Sequence, residues 1–375
     1  MPKKIVLFTE LRDDSPAKAL LDRLNYERVL HVQPCFQIQR SAIRAALAGA
    51  NGLLCRPNDG IEFMPSDLEF VLNPFVAGTF SSGVDHLSAI ESLPGITIKH
   101  SYGGNAAGVA ELALNYAMIL KRRAFTAARA MEFGLYYDPM GTRVERKHWV
   151  LIGAGEQAAH VIAKSTGLGL GRFTVYHDKM TDEKLRSCLR HVPAELVLAK
   201  STLDYQIRSS CDAITAVNGT RDLHGAIPQA DIISLHVPAK PADPVSGRPG
   251  TEGMIDQRFL GLAKDSCCLI NVARGNLVQE QAVIDWLRAR PNSGFASDVL
   301  DQRAERQRDP ALSVLHKEYM KNSTVSDPRK RLNLFLSGHI GGSAIEDFNE
   351  VCNEVLEGVL EVLRVAVPAS IRRAL

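Results

Sequence analysis

Short apolar segments alternate with helix-forming segments along most of the chain, and this alternation restricts the possible folds more than any other feature. The clearest predicted strands are GLLC (52–55), WVLI (149–152) and residues 231–237, 267–272 and 294–299. Each is short, continuous and apolar, which is typical of strands buried on both faces of a parallel sheet. The sequence therefore predicts an α/β fold with doubly wound parallel sheets. Because 375 residues are about twice the length of a typical domain, we expect two domains.

A glycine turn after WVLI is typical of a dinucleotide site. Gly153 permits a tight turn and Gly155 lets a pyrophosphate approach the backbone. The helix that begins at Glu156 and Gln157 then offers free N–H groups to the phosphates. About twenty residues later, Asp178 follows the next strand, where a carboxylate would bind the adenosine ribose hydroxyls and repel a 2′-phosphate. The pattern favours NAD over NADP, and a helix cap or turn is the alternative explanation for the acid.

Charge and cysteine content exclude several other classes of protein. The formal net charge is +2, too small for a one-signed field that would attract nucleic acid or an anionic membrane. The seven cysteines are odd in number and contain no C-x-x-C pair, so we predict neither a disulfide framework nor a metal site. This cysteine usage fits a reducing cytoplasm. The apolar start of the chain is predicted to be a first strand, and no stretch approaches the roughly 18 apolar residues of a membrane span.

Several longer motifs occur in a fixed order: LLCRPNDG, GTFSSGVDHLSAI, GGNAAGVAEL, ADIISLHVPAK, LINVARGNLVQEQAVIDWL, GFASDVL and SGHIGGS. Together they resemble the D-isomer-specific 2-hydroxyacid dehydrogenase family, relatives of phosphoglycerate and glycerate dehydrogenases. The resemblance implies hydride transfer between NAD and a small D-2-hydroxy or 2-keto acid. It also implies two Rossmann-like domains, a discontinuous substrate domain (1–117 and 344–375) and an inserted NAD-binding domain (118–343). A long predicted helix over 105–131 would join two subunits in a homodimer.

The resemblance assigns the chemistry to three residues. Arg274 of VARG would hold the substrate carboxylate in a two-pronged hydrogen bond, a task that suits a planar guanidinium. His339 of SGHIGG would be the general base that takes the hydroxyl proton as hydride leaves C2. The family pairs this histidine with a glutamate, but the corresponding position without a gap is an arginine. Asp301 and Glu305 are therefore both candidates, and we favour Glu305.

Further residues are assigned to the ligands by the same resemblance. Asp298 would lie near the nicotinamide, and the other cofactor residues would be His236, Val237, Pro238, Val272, Ala273 and Gly341. We interpret His236 itself as structural. The predicted substrate residues are Arg56, Ser82, Gly83 and Asn105. Among these, Arg56 is a candidate for binding a second anionic group, such as a carboxylate, phosphate or phosphonate.

Two segments, 181–221 and 302–331, are longer than a β-α unit requires and are predicted to be insertions. The first contains possible extra strands, and the second is predicted to form surface loop and helix. We expect the amphipathic segment 346–365 to pack on the first domain. The displaced glutamate and the basic 302–331 segment leave open a second function, a nicotinamide sensor that binds a protein partner. A third possible function is the oxidation of a phosphonate or a phosphorylated acid.

Overall fold

The computed structural model describes residues 4–9, 11, 15–23, 30–31, 39–57, 61–208, 214–244 and 249–364. The chain divides into two compact units, unit 1 (residues 1–105 and 342–375) and unit 2 (residues 106–341). Unit 2 is thus inserted into unit 1. The boundaries predicted from the sequence lie near 117 and 343, and the assignment of substrate and cofactor to the two parts stays a prediction.

Unit 1 is built around a parallel sheet. Its described strands are β1 (Ile5–Leu7), β2 (Leu30–His31), β3 (Gly52–Cys55), β4 (Phe75–Thr79) and β5 (Ile96–His100). Their spatial order is β2-β1-β3-β4-β5. The described helices of this unit are α1 (Pro16–Arg23), α2 (Arg40–Leu47) and a C-terminal helix (Ile345–Val362).

The C-terminal helix packs on the sheet of unit 1, as predicted. Its residues Val355 and Val359 belong to the same buried cluster as Leu54 of β3. Gly78 of β4 allows this close approach, because a Cβ there would stand 2.7 Å from Leu54 and 2.8 Å from Val359. Because Gly78 has no side chain, the C-terminal helix can pack closely against β3 and β4.

Unit 2 contains a longer, mixed sheet. Its described strands are β6 (His148–Ile152), β7 (Arg172–Tyr176), β8 (Val197–Ser201), β9 (Asp204–Arg208), β10 (Ile214–Thr220), β11 (Ile232–Leu235), β12 (Cys268–Asn271), β13 (Gly294–Ser297) and β14 (Leu334–Leu336). Their spatial order is β14-β13-β12-β11-β6-β7-β10-β9-β8. The pairs are parallel except at β9, which is antiparallel to both β8 and β10. Together the two units confirm the predicted α/β class with parallel, Rossmann-like sheets.

The described helices of unit 2 are α3 (Ala106–Arg122), α4 (Ala124–Glu132), α5 (Glu156–Lys164), α6 (Asp182–Ser187), α7 (Leu223–Ala226), α8 (Gln257–Leu262), α9 (Glu280–Ala289), α10 (Gln302–Gln307) and α11 (Val314–Ser323). The prediction of one helix over 105–131 is wrong, because the backbone turns at Arg123, whose φ is 51°. The apolar face of α3, including Val109 and Ala113, packs in the core of unit 2. This packing explains why unit 2 begins at Ala106.

The insertions have the predicted kind of structure. Residues 181–221 contain α6, the predicted strands β8 and β10, and a strand that the sequence analysis missed, β9. Residues 302–331 contain α10 and α11. None of the helices in the described part of the chain is both long and apolar enough to cross a membrane.

Candidate active site

The predicted site residues of unit 2 follow the carboxyl ends of its parallel strands. In order they are Gly153 after β6, Asp178 after β7, His236 after β11, Arg274 after β12, Asp298 after β13 and His339 after β14. Because carboxyl ends of parallel strands share one edge of a sheet, these residues are brought to the same edge. This is the edge at which open α/β sheets bind ligands.

The glycine turn has the geometry that a dinucleotide needs. Gly153 has a φ of 121°, and a Cβ at this position would collide with the carbonyl oxygen of His236. A Cβ at Gly155 would meet no atom within 4 Å, so the space beside its backbone is open. Helix α5 begins at the next residue, Glu156, and its first N–H groups can receive a phosphate. The turn therefore fits the pyrophosphate of NAD.

Asp178 presents an exposed carboxylate after β7. Its side chain is 67% exposed, and one of its oxygens accepts a hydrogen bond from the backbone N–H of Lys179 at 2.9 Å. The neighbouring His177 has a lowered pKa, because partial burial and the charge of Lys184 both disfavour its protonation. The same oxygen of Asp178 lies 2.9 Å from Nδ1 of His177, and the exposed carboxylate can accept further hydrogen bonds from sugar hydroxyls.

His236 connects strand β11 to the start of α5. Its Nε2 lies 2.7 Å from Oγ of Ser234, and its Nδ1 lies 3.2 Å from Oε1 of Gln157. Burial lowers the pKa of His236 to about 3, so the ring stays neutral at physiological pH. This geometry agrees with the interpretation of His236 as a structural histidine, which here orients the Gln157 side chain of α5.

The other predicted cofactor residues of unit 2 line the same strand ends. Val272 and Ala273 are buried directly after β12. Val237 is half-buried, and its Cγ1 lies 3.1 Å from the point that a Cβ of Gly153 would occupy. Pro238 is exposed, and its carbonyl accepts a hydrogen bond from Thr251 at 2.7 Å.

Asp298 is a buried carboxylate that organises the loop carrying His339. It is 3% exposed and accepts hydrogen bonds from the backbone N–H groups of Ile340 at 2.8 Å and Gly341 at 2.7 Å. Its own carbonyl accepts from the N–H of His339 at 2.8 Å. These bonds hold His339 in a left-handed conformation with a φ of 58°. The carboxylate thus fixes the direction in which the imidazole points.

Of the two candidate acids, Glu305 contacts the histidine. Its Oε1 lies 3.5 Å from Nδ1 of His339, whereas the side chain of Asp301 caps α10 by accepting from the N–H of Arg303. Partial burial lowers the pKa of His339, but the hydrogen bond and charge of Glu305 outweigh it, so the pKa is raised overall. Raising the pKa makes the imidazole a stronger base.

Arg274 lies near enough for its positive charge to lower the pKa of His339 slightly against the effect of Glu305. Arg274 is half-buried, and its Nη1 donates to the carbonyl of Ala273 at 2.9 Å. The turn that carries Arg274 is held by Asn271, whose side chain donates to the carbonyl of Arg274 at 2.9 Å. At Gly275 a Cβ would overlap the carbonyl oxygen of Leu300. This glycine lets the two loops pack together.

The predicted substrate residues of unit 1 also follow strand ends. Arg56 comes directly after β3, and its guanidinium lies 4.6 Å from the ring centre of Phe348. Ser82 follows β4 and donates to Oδ1 of Asn105, which follows β5, at 2.8 Å. Gly83 is half-buried beside Ser82. The serine and asparagine are thus brought together.

Two residues beside Asp298, Tyr116 and Ser337, are not among the predicted site residues. The hydroxyl groups of Tyr116 and Ser337 contact each other, and Ser337 also donates to Asp298. Burial and the negative charge of Asp298 raise the pKa of Tyr116. A hydroxyl two residues before His339 was a usable signal for Ser337. Tyr116 lies among the apolar residues of α3, where nothing marked it.

Comparison with known proteins finds a family match over part of the chain. Residues 202–341 match the D-isomer specific 2-hydroxyacid dehydrogenase, NAD binding domain. The chain is 24% identical over 347 residues to a glyoxylate reductase of Thermofilum pendens, covering 92% of this chain and 87% of that protein. It is 25% identical over 293 residues to a D-3-phosphoglycerate dehydrogenase of Synechocystis sp., covering 77% of this chain but 43% of the relative.

Solved structures agree on the fold. The crystal structure of a D-lactate dehydrogenase from Aquifex aeolicus, complexed with NAD and lactic acid, matches with a TM-score of 0.68 at 17% identity. The match covers 98% of this chain and 100% of that one. These matches support the resemblance predicted from the motifs: residues 202–341 match the NAD-binding domain of the D-isomer specific 2-hydroxyacid dehydrogenases, and the chain shares the fold of the solved D-lactate dehydrogenase.

Proposed function

We propose that the protein is an NAD-dependent oxidoreductase that transfers a hydride between the nicotinamide and C2 of a small D-2-hydroxy acid or 2-keto acid. The observation that carries the proposal is the contact between Glu305 and His339, 3.5 Å long, at the same sheet edge as Arg274. A histidine oriented by an acid is the arrangement of a general base. The relatives named glyoxylate reductase and D-3-phosphoglycerate dehydrogenase support the reaction class.

His339 moves the proton in this reaction. In the oxidative direction its neutral imidazole takes the hydroxyl proton of the substrate, and the electrons of that O–H bond form the new carbonyl as the hydride leaves C2. Bound NAD supplies the carbon that accepts the hydride. Arg274 pairs with the substrate carboxylate through two parallel hydrogen bonds, which fixes C2 relative to the imidazole. In the reductive direction the protonated His339 returns the proton to the carbonyl oxygen.

We propose that the substrate carries a second anionic group bound by Arg56. This arginine stands at a strand end of unit 1, stacked on Phe348, and an Arg guanidinium recognises carboxylate and phosphate alike. Ser82, Gly83 and Asn105 are proposed to contact the substrate as well.

The sensor alternative is not favoured. It rested on a displaced glutamate, yet Glu305 contacts His339, and the relatives identified above are named as enzymes.

A substrate screen tests the proposed function. Purified protein should consume NADH in the presence of 2-keto acids, followed as loss of absorbance of the reduced nicotinamide, with acids that carry a second anionic group among the best substrates. Matched 2-keto acids with neutral side chains serve as the comparison. If the protein binds NADH but no 2-keto acid in such a panel is reduced, the proposal is wrong.

Replacing Glu305 with glutamine should lower the pKa of His339, because its negative charge and hydrogen bond raise that pKa. Oxidation requires the neutral imidazole, so kcat/KM for the hydroxy acid rises with pH through the pKa of His339. Reduction requires the protonated form and falls over the same range. In Glu305→Gln both midpoints should therefore move to lower pH, as measured by pH–rate profiles in the two directions.

Asp301→Asn is the matched control for that experiment. Asparagine caps a helix as well as aspartate does, so α10 should form and the pH midpoints should stay in place. If the pH midpoints shift in Asp301→Asn but not in Glu305→Gln, the acid that pairs with His339 is Asp301 and the assignment to Glu305 is wrong.

We propose NAD rather than NADP as the cofactor, because the exposed carboxylate of Asp178 would repel a 2′-phosphate. Asp178→Ala should reduce the preference for NADH over NADPH, expressed as a ratio of kcat/KM values, by about tenfold or more. Lys179→Ala should leave the preference for NADH intact or increase it. An unchanged ratio in Asp178→Ala would place ribose recognition elsewhere.

We further propose a homodimer in a reducing compartment such as the cytoplasm. Exposed apolar side chains concentrate after α3, at Met131, Phe133, Leu135, Tyr136 and Met140, and such a patch is typical of a subunit contact. The five cysteines in the described part of the chain are buried and free, which suits a reducing environment.

A further inference from the structure

A histidine pair and a carboxylate meet beside the first turns of α5. Glu156 and His160 lie four residues apart, so they share one face of the helix. His191, in the segment after α6, stacks on His160 with ring centres 4.0 Å apart and planes 17° from parallel. Its Nε2 lies 3.2 Å from Oε2 of Glu156. None of these three side chains has a part in the proton transfer described above.

The three side chains offer one ligand atom each, and these atoms lie within 4.8 Å of one another. Ligand atoms around a tetrahedral zinc ion, with bonds of about 2.0 Å, lie roughly 3.3 Å apart. Because the two imidazoles are stacked and nearly parallel, they would have to rotate apart to bring the three ligand atoms onto one ion. The side chains of Glu156 and His191 are 40% and 35% exposed, so an ion can reach them from solvent.

We propose that Glu156, His160 and His191 form a binding site for a divalent transition-metal ion of the Zn²⁺ class. Two imidazoles and one carboxylate are ligands that such ions bind, with water completing the coordination. Binding requires neutral imidazoles.

Arg190 is the competing cation at this site. Its guanidinium forms a close ion pair with Oε1 of Glu156, and Nε donates to Oε2 at 3.2 Å. A metal ion would share this carboxylate with the arginine. Arg190 therefore weakens the site, and removing its charge should strengthen it.

Metal binding is measured on the full chain, freed of any histidine tag and treated with a chelator, by competition with a chromophoric Zn²⁺ indicator. We expect one equivalent of Zn²⁺ to bind. His160→Gln and His191→Gln should each weaken binding by at least about 100-fold, since loss of a ligand exceeds the 10–100-fold cost of losing a partner outside the coordination sphere. His224→Gln, which removes an exposed histidine of α7, should bind as the unaltered protein does.

Arg190→Gln gives a change in the opposite direction. Its binding should be tighter by roughly fivefold, because a surface ion pair contributes up to about 1 kcal/mol. Unchanged or weaker binding in Arg190→Gln would contradict the role of Glu156 as a ligand.

Electron paramagnetic resonance of the Cu²⁺-loaded protein provides a measurement that does not depend on variants folding. The spectrum should show splitting from two imidazole nitrogens. A spectrum dominated by sulfur ligands, Zn²⁺ binding that survives both histidine replacements, or no binding at all overturns the proposal. Turnover is not used, so either result leaves the proposed dehydrogenase function to its own test.

Discussion

Arg274→Ala is expected to reduce kcat/KM for the 2-keto acid by about 10³-fold or more while NADH still binds. Loss of one preorganised donor costs about 10²–10³-fold, and in the proposed arrangement the guanidinium would provide two charge-assisted donors to the carboxylate. Arg274→Lys keeps the charge but loses the planar fork, so it should recover only part of the activity. Steady-state kinetics and fluorescence titration with NADH measure the two effects separately.

Arg258→Ala is the matched control, since this arginine is exposed on α8 in the same unit. It should leave both kcat/KM and NADH affinity unchanged. If Arg274→Ala retains more than about a tenth of the original kcat/KM, corresponding to a loss below roughly 1.4 kcal/mol, another group binds the carboxylate. The proposed role of Arg274 would then be wrong.

Gly275→Ala is expected to destabilise the protein and to damage the site at once. Its Cβ would overlap the backbone carbonyl oxygen of Leu300, and a backbone cannot move aside as a flexible side chain does. We expect a loss of about 3 kcal/mol in the free energy of unfolding and a Tm lower by roughly 5–10 °C. Displacing the adjacent Arg274 by about 1 Å should also reduce kcat by about 100-fold.

Gly261→Ala separates this effect from a general response to replacing glycine. Gly261 lies in α8, and a Cβ there would meet no atom within 4 Å. Because alanine favours helix over glycine, this variant should gain about 0.5–1 kcal/mol. Thermal and denaturant unfolding measure both variants. Equal stability of Gly275→Ala and the unaltered protein would contradict the described packing of the two loops.

The sequence predicts the parts of the fold that local patterns encode. Apolar runs mark the buried strands, and Gly153 marks its turn because only glycine tolerates both the positive φ and the nearby carbonyl of His236. The positions of Arg274 and His339 followed from motif order. Parallel strands then carry such residues to one edge of a sheet, whatever their separation along the chain.

Features that depend on packing were not predictable in the same way. The helix break at Arg123 carries no glycine or proline signal, and β9 alternates polar with apolar residues inside an unusual insertion. The choice between Asp301 and Glu305 depended on α10, because a helix capped by the first acid directs the second toward His339. The alternation of apolar strands and helices along the sequence does not predict where a short helix such as α10 begins.

The histidine pair beside α5 was missed for a different reason. Sequence patterns for metal sites rely on closely spaced ligands, whereas His160 and His191 come from an α-helix and from an insertion. The i,i+4 spacing of Glu156 and His160 was a weak signal. The spacing became informative only in the structure, where His191 of the 181–221 segment contacts both residues.

The anchoring of the His339 loop by Asp298 determines which positions of the loop can vary. The carboxylate accepts hydrogen bonds from the main-chain N–H groups of Ile340 and Gly341. Ile340 itself is 50% exposed. Because these bonds involve only the main chain, the conformation of the loop does not depend on which side chain is at position 340. Substitutions at position 340 can therefore change the surroundings of His339 without changing the direction of its imidazole.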